Sequence, residues 1–179
     1  MSPTDTGVLD TLGMLDAAFG LPDQMAAAVE LASSVDGLPD ASAVTSILVL
    51  GMGGSGISGD IMALVAPEHG RVPVEVSRHY ELPAHVGPHT LVMAVSFSGD
   101  TEETVVAAEA AVAAGAPVVA VTTGGALGDL VSAAGGGVCG LPKGIPLPRA
   151  ALGAVGLTPV VLATRLGLLN DTAAAVDAA

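Results

Sequence analysis

The chain has 179 residues, one ordinary domain that buries about 70% of the surface its unfolded form exposes, with no room for a second core. Five basic against eighteen acidic side chains give a net charge of −13, which argues against nucleic acid and anionic membrane as partners and requires any phosphate ligand to be attracted locally. Hydrophobic residues make up 51% and aromatics 2%, so the core is built from Val, Leu, Ile, Ala and Met, whose small side chains permit close helix–sheet packing.

In chain order, residues 1–42 read as a helical segment that packs beside the rest of the domain. Two amphipathic helices are broken around Gly20-Leu21-Pro22-Asp23, and the second runs through Met25, Val29 and Leu31 to the turn Asp36-Gly37-Leu38-Pro39. Residues 43–169 form the main domain. The predicted elements are strand 44–50, helix 56–66, strand 73–77, strand 90–95, helix 101–114, strand 117–122, a short helix over 126–134, strand 137–141 and helix 149–166. This alternation predicts an α/β fold with a doubly wound, five-stranded parallel sheet covered by helices on both faces. The Pro/Gly-rich segment 140–148 is a surface crossing, and Pro148 suits the start of the helix after it. Residues 170–179 read as the start of a linker helix to a second domain that this chain does not contain.

Two loops carry the chemistry. Gly51-Met52-Gly53-Gly54-Ser55-Gly56 follows the apolar run Ile47-Leu48-Val49-Leu50, and Ser96-Phe97-Ser98-Gly99-Asp100-Thr101 follows Leu91-Val92-Met93-Ala94-Val95. Each ends a strand and opens a helix. Backbone N–H groups at a helix start lack intrahelical partners and the helix dipole adds about half a positive charge there, so two such loops on adjacent strands converge on one anion. Ser55, Ser96, Ser98 and Thr101 offer uncharged hydroxyl donors, and Gly53 and Gly54 let the backbone approach closely, which suits a phosphate monoester. The competing structural reading makes the hydroxyl residues ordinary helix caps and the glycines ordinary turn residues.

The remaining polar residues point less sharply. His85 and His89 are four apart, but Gly87-Pro88 between them prevents the helix that would aim both at a metal, so no metal site is expected. His69 reads as a loop residue, and His79 lies just past a strand where a ligand can reach it. The lone Cys139 cannot form an intramolecular disulfide, and no charged-then-apolar leader precedes a cleavage-like site. A cytoplasmic location is the default expectation. The apolar stretches are broken by Gly, Pro or charge before the ~20 residues a membrane span needs.

Four segments in order, Gly51 to Asp60, Ser77-Arg78-His79-Tyr80-Glu81-Leu82-Pro83, Ser96 to Thr104 and Pro148-Arg149-Ala150-Ala151-Leu152-Gly153, resemble the first half of bifunctional phosphoglucose/phosphomannose isomerases of the sugar-isomerase (SIS) domain superfamily. The resemblance covers essentially residues 10–170. It implies a three-layer αβα sandwich with a phosphosugar at the carboxyl edge of the sheet. Carried over by motif, the phosphate ligands are Ser55, Ser96, Ser98 and Thr101, with Gly53 and Gly54 contributing backbone approach. Arg149 corresponds to the arginine that stabilises charge on the enediolate as glucose 6-phosphate or mannose 6-phosphate is converted to fructose 6-phosphate. An arginine just inside a helix start sits at the unfavourable end for a cation, which by itself argues for an anion opposite it. The resemblance implies no cofactor, a hexose 6-phosphate as ligand, and a second SIS domain or another copy of the chain as partner. It also places a glutamate base and a ring-opening histidine in the second domain. Glu102 and Glu103 are substitutes for that base on chemical grounds, although their place in a helix's first turn is equally explained by the dipole.

Two other readings stay open. A non-catalytic SIS module would sense a phosphosugar and regulate a partner. Gly51-x-Gly53-x-x-Gly56 also satisfies the dinucleotide fingerprint, and Ser77-Arg78 suits a 2′-phosphate, so an NADP-dependent oxidoreductase competes. The second hydroxyl loop and the lack of an acidic ribose ligand at the next strand's end tell against it.

Overall fold

The computed structural model describes residues 10–170. Two helices, α1 (Met14–Phe19) and α2 (Leu21–Ser34), precede β1 (Ser46–Leu50), α3 (Gly53–His69), β2 (Val74–Ser77), β3 (Thr90–Val95), α4 (Glu102–Ala113), β4 (Val118–Val121), α5 (Gly125–Ala133) and β5 (Val138–Cys139). A 3₁₀ turn (Pro148–Ala150) and α6 (Leu152–Arg165) follow. Of the expected linker helix at 170–179, residues 171–179 lie outside the described residues, as do residues 1–9.

All five strands are parallel and lie in the order β2-β1-β3-β4-β5. The order reverses between β1 and β3, which is where open α/β sheets bind ligands beyond the carboxyl ends of their strands. Every residue of β3 and β4 is buried, as strands covered on both faces must be. Alternation then sorts the side chains. Ile47, Val49, Leu91, Met93, Val95, Val119 and Val121 pack with Met62 of α3, with α6 and with Ala28 and Ala32 of α2. Leu48, Leu50, Val92, Ala94, Val118 and Ala120 pack with Ala107, Ala108 and Ala111 of α4 and with Leu127 and Val131 of α5. The two clusters make the three layers. Each fully buried aliphatic side chain contributes about 1.5–3 kcal/mol.

Small residues set the spacing, as the scarcity of aromatics predicts. A Cβ on Gly59 of α3 would lie 2.6 Å from Val76 of β2, so this helix rests on the sheet edge through a bare backbone. Of the N-terminal helices, α2 joins the layer on the α3 and α6 face of the sheet, where it packs principally against α6, and Arg165 at the end of α6 donates to the Ala32 and Val35 carbonyls at the end of α2. Helix α1 buries none of its residues; its start is held by Asp10, whose two carboxylate oxygens accept the Met14 and Leu15 N–H groups at 2.9 and 2.8 Å. Those bonds lower the Asp10 pKa.

Boundaries shift for local reasons. β5 is two residues long rather than five because glycines flank it and Pro142 follows, which cannot donate to a ladder. Helix α6 begins three residues later than expected, since Pro148–Ala150 closes as a separate turn through Ala150 N–H to Leu147 O and Ala151 N–H to Pro148 O.

Cys139 is fully buried, and desolvation pushes its thiol pKa up to about 11 despite the nearby Arg165. A thiol held protonated below that pH is a poor nucleophile. Alkylation by iodoacetamide at pH 8 is therefore expected only on unfolding, and rapid labelling of the native protein would contradict this packing. Among the described residues no helix is long and apolar enough to cross a membrane.

Candidate functional site

The two loops singled out in the sequence end adjacent strands. β1 and β3 pair directly, Leu50 against Ala94, so Gly51 and Ser96 leave the same edge of the sheet side by side. They are joined by a hydrogen bond, with Ser55 Oγ accepting the Phe97 N–H at 3.2 Å. Helix α3 starts inside its glycine loop, at Gly53 rather than Gly56. Ser55 N–H and Gly56 N–H both donate to Met52 O, at 2.9 and 3.1 Å, which overrides the glycines' low helix propensity of about 1 kcal/mol each. Gly53 and Gly54 thereby become first-turn residues, whose amides have no intrahelical acceptor.

Neither helix start is capped by a side chain. Met52 and Thr101 occupy the cap positions of α3 and α4 and make no side-chain capping bond. The Thr101 hydroxyl turns instead to Ser96 Oγ, 2.9 Å away. The reading of these hydroxyls as ordinary caps therefore fails at Thr101, and both N-termini keep amides available to an anion.

The four hydroxyl residues are not equivalent. Ser96 has zero exposure, and its Oγ also accepts the Gly99 N–H at 3.0 Å, so it shapes the second loop from beneath. Ser55 is 7% exposed and ties the loops together. Ser98 is exposed and accepts the Asp100 N–H at 3.2 Å, while Thr101 is half-buried at the mouth of α4. The last two are the accessible ones.

Arg149 is exposed and lies on the 3₁₀ turn before α6. Because α6 only starts at Leu152, the argument that its cation opposes that helix's dipole loses its basis. Position supports it instead: a Cβ on Gly54 would lie 3.7 Å from the backbone of Pro148 and Arg149, which puts the Arg149 turn against the first turn of α3. Arg149 makes no ion pair among the described residues.

A third loop went unread. Thr122-Thr123-Gly124-Gly125 follows β4 and braces the second loop from its far side. Thr123 N–H and Oγ1 donate to Phe97 O at 3.1 and 2.7 Å, Leu127 N–H donates to Gly99 O at 2.9 Å, and Asp100 Oδ1 accepts the Ala126 N–H in the first turn of α5 at 2.9 Å. The signal was present, since this is another apolar strand ending in hydroxyls and glycines, without the spacing of a known phosphate motif.

Charged neighbours define the site's limits. Arg78 Nη2 donates to both carboxylate oxygens of Asp60 at 2.6 Å and to Gly56 O at 3.1 Å. This half-exposed pair is worth about 0–1 kcal/mol, but it commits the guanidinium that an NADP phosphate would need. Glu102 and Glu103 sit in the first turn of α4. Desolvation and, after it, the charges of these two carboxylates raise the pKa of Tyr80, which lies exposed just past β2. His79 is exposed there too. His85 pairs with Glu75 at 3.3 Å and His89 Nδ1 lies 3.1 Å from Ala43 O, so the two histidines serve separate contacts. Among the described residues no group of three His, Cys, Asp or Glu gathers to hold a metal ion.

Residues 41–129 match the SIS domain family. The chain is 37% identical over 157 residues to a bifunctional phosphoglucose/phosphomannose isomerase of Caldicellulosiruptor bescii, covering 88% of this chain and 46% of that protein. It is 41% identical over 109 residues to the protein of that name from Thermoplasma acidophilum, covering 61% and 33%. The chain thus spans less than half the length of these relatives. Among solved structures, the Vibrio vulnificus NanR protein complexed with ManNAc-6P superposes with a TM-score of 0.64 at 24% identity, over 84% of this chain and 61% of that one, a likeness of fold.

Proposed function

The chain is a member of the SIS domain family, and we propose that it is the phosphosugar-binding part of an aldose–ketose isomerase interconverting glucose 6-phosphate or mannose 6-phosphate with fructose 6-phosphate. The observation that carries this reading is the meeting of two uncapped helix starts on adjacent strands, with the Arg149 turn packed against the first of them. In this reading the amides of Gly53 and Gly54 and the hydroxyls of Ser98 and Thr101 take the phosphate oxygens. Ser55 and Ser96 hold the two loops in the shape that aims those donors. The sugar's carbonyl end lies towards Arg149.

Isomerisation moves a proton between C2 and C1 through an enediol, and the oxygen that becomes an enediolate is stabilised by a fixed cation. Proton transfer of this kind needs neither a metal nor a redox cofactor. The base comes from a second domain or a second copy of the chain, consistent with Glu102 and Glu103 serving the dipole of α4. Their negative charge also favours seating the phosphate over the first turn of α3. A phosphorylated sugar as substrate and a buried thiol as sole cysteine fit a cytoplasmic protein.

The strand order and the Arg78–Asp60 pair favour phosphosugar over NADP. Thermal unfolding with each ligand tests this, because a ligand at a hundred times its dissociation constant stabilises by about 2.7 kcal/mol. Hexose 6-phosphates are expected to raise Tm and NADP to leave it unchanged; stabilisation by NADP alone would reverse the reading. Loss of one hydrogen bond to a charged group costs about 1.5–3 kcal/mol, so Thr101→Val is expected to weaken fructose 6-phosphate binding about 10–150-fold by calorimetry. Unchanged affinity removes Thr101 from the site.

A further inference from the structure

Gln24 is the polar side chain of the N-terminal helices that the folded core takes in. It is 8% exposed, lies on α2, and its Nε2 donates to Ala17 O of α1 at 3.1 Å and to Ala150 O at 2.9 Å. Both partners are carbonyls, which only accept, so the amide nitrogen and not the oxygen must face them. Among the described residues Oε1 is left buried without a partner. The amide nitrogen thus bridges α1 and the turn at Ala150, while buried polar groups are as a rule satisfied throughout.

The bond to Ala150 joins residues 126 positions apart, and Ala150 follows Arg149 in the 3₁₀ turn. Among the described residues that turn is otherwise closed by its own two backbone bonds, from Ala150 N–H and Ala151 N–H. One side of it rests on Gly54 at the start of α3; the other is pulled onto α2 by Gln24. The Arg149 backbone is therefore clamped between the phosphate-facing helix and the N-terminal helices.

We infer that Gln24 is a positioning residue that sets Arg149 over the sugar end of the site, by holding the Ala150 carbonyl. The inference rests on the reading of Arg149 given above. It makes the N-terminal helices part of the site's geometry without any contact to substrate. Removing the donor frees the turn to shift, and a misplaced cation stabilises a developing charge less while a phosphate on the α3 and α4 amides is held as before.

The test compares two probes on the purified chain by calorimetry: inorganic phosphate, which needs only the loops, and a phosphorylated sugar hydroxamate, which adds an enediolate-like group for Arg149. Gln24→Met keeps the volume and loses the donor. It is expected to weaken the hydroxamate about 10-fold, corresponding to about 1.4 kcal/mol, with phosphate affinity within twofold. In an Arg149→Ala background the same change is expected to add nothing, because the two act through one group. Gln24→Asn keeps the amide but is one methylene short of bridging both carbonyls; it repeats the comparison with less cost to folding if the methionine variant is unstable. Equal weakening of both probes makes Gln24 a structural staple and overturns the inference, as does no weakening of either while Arg149→Ala still discriminates between them. If Arg149→Ala itself weakens both probes alike, the assignment of Arg149 falls and this inference with it.

Discussion

Under the proposed isomerase reading, replacing Arg149 with alanine is expected to lower turnover about 10²–10³-fold, the range seen when one preorganised donor to a developing oxyanion is removed. The effect belongs mainly in kcat rather than KM, because the charge that Arg149 meets develops only as the C2 proton leaves. In the proposed site phosphate recognition rests on Gly53, Gly54, Ser98 and Thr101, which the substitution leaves in place. Folding stability is expected to change by less than about 0.5 kcal/mol, since the side chain is exposed. Arg149→Lys keeps the charge but not the planar fork and is expected to recover part of the rate. An alanine variant with unchanged turnover would show that another group neutralises the enediolate. The same assay on Glu102→Gln and Glu103→Gln separates base from dipole partner: a fall of a few-fold or less leaves both as helix-start charges, whereas a loss of 10²–10⁴-fold makes one of them the base.

Gly99→Ala is expected to destabilise the fold by about 2–5 kcal/mol, combining the strain of a side chain at positive φ with overpacking. Gly99 has φ +81°, and a Cβ there would collide with the Gly124 carbonyl oxygen and lie 2.7 Å from Thr122 Oγ1. The loop after β3 and the loop after β4 meet backbone to backbone at this point. At roughly 2–4 °C per kcal/mol for a domain of this size, the shift amounts to about 4–20 °C in Tm. Hexose 6-phosphate binding is expected to fail even where the protein still folds, because Ser96, Ser98 and Thr101 are aimed by the same loop. Gly124→Ala separates the two contributions: Gly124 has φ +142° with no atom within 4 Å of a Cβ, so it carries backbone strain alone and is expected to cost less. Equal stability of wild type and Gly99→Ala would refute the close approach of the two loops.

Much of the architecture was legible because it is written locally. Continuous apolar runs such as Leu91–Val95 identify strands covered on both faces, glycine and hydroxyl residues at their ends identify loops, and the alternation of strand and helix implies a parallel sheet. The placing of β1 beside β3 was the inference with most consequence, and direct pairing of those strands is what brings Ser55 to Phe97. Element ends were less legible. Gly53 to Ser55 look like loop by propensity and fold as helix, because turn closure onto Met52 outweighs the glycine penalty. Pro148-Arg149-Ala150 looks like a helix start and folds as a separate turn.

By itself the sequence determined the layered α/β fold and the two glycine- and hydroxyl-rich loops at the ends of adjacent strands, since each follows from apolar periodicity or from side-chain chemistry within about ten residues. Only the tertiary structure decided how their residues divide the work. It buried Ser96 and exposed Ser98, locked Arg78 onto Asp60, braced the second loop with Thr123 and Asp100, and clamped the Arg149 turn between Gly54 and Gln24. The physical reason is separation along the chain. The Thr123 and Gln24 bonds join atoms 26 and 126 residues apart, and their geometry is set by how helices of small residues settle on the sheet, a property of the packed whole that no local pattern encodes.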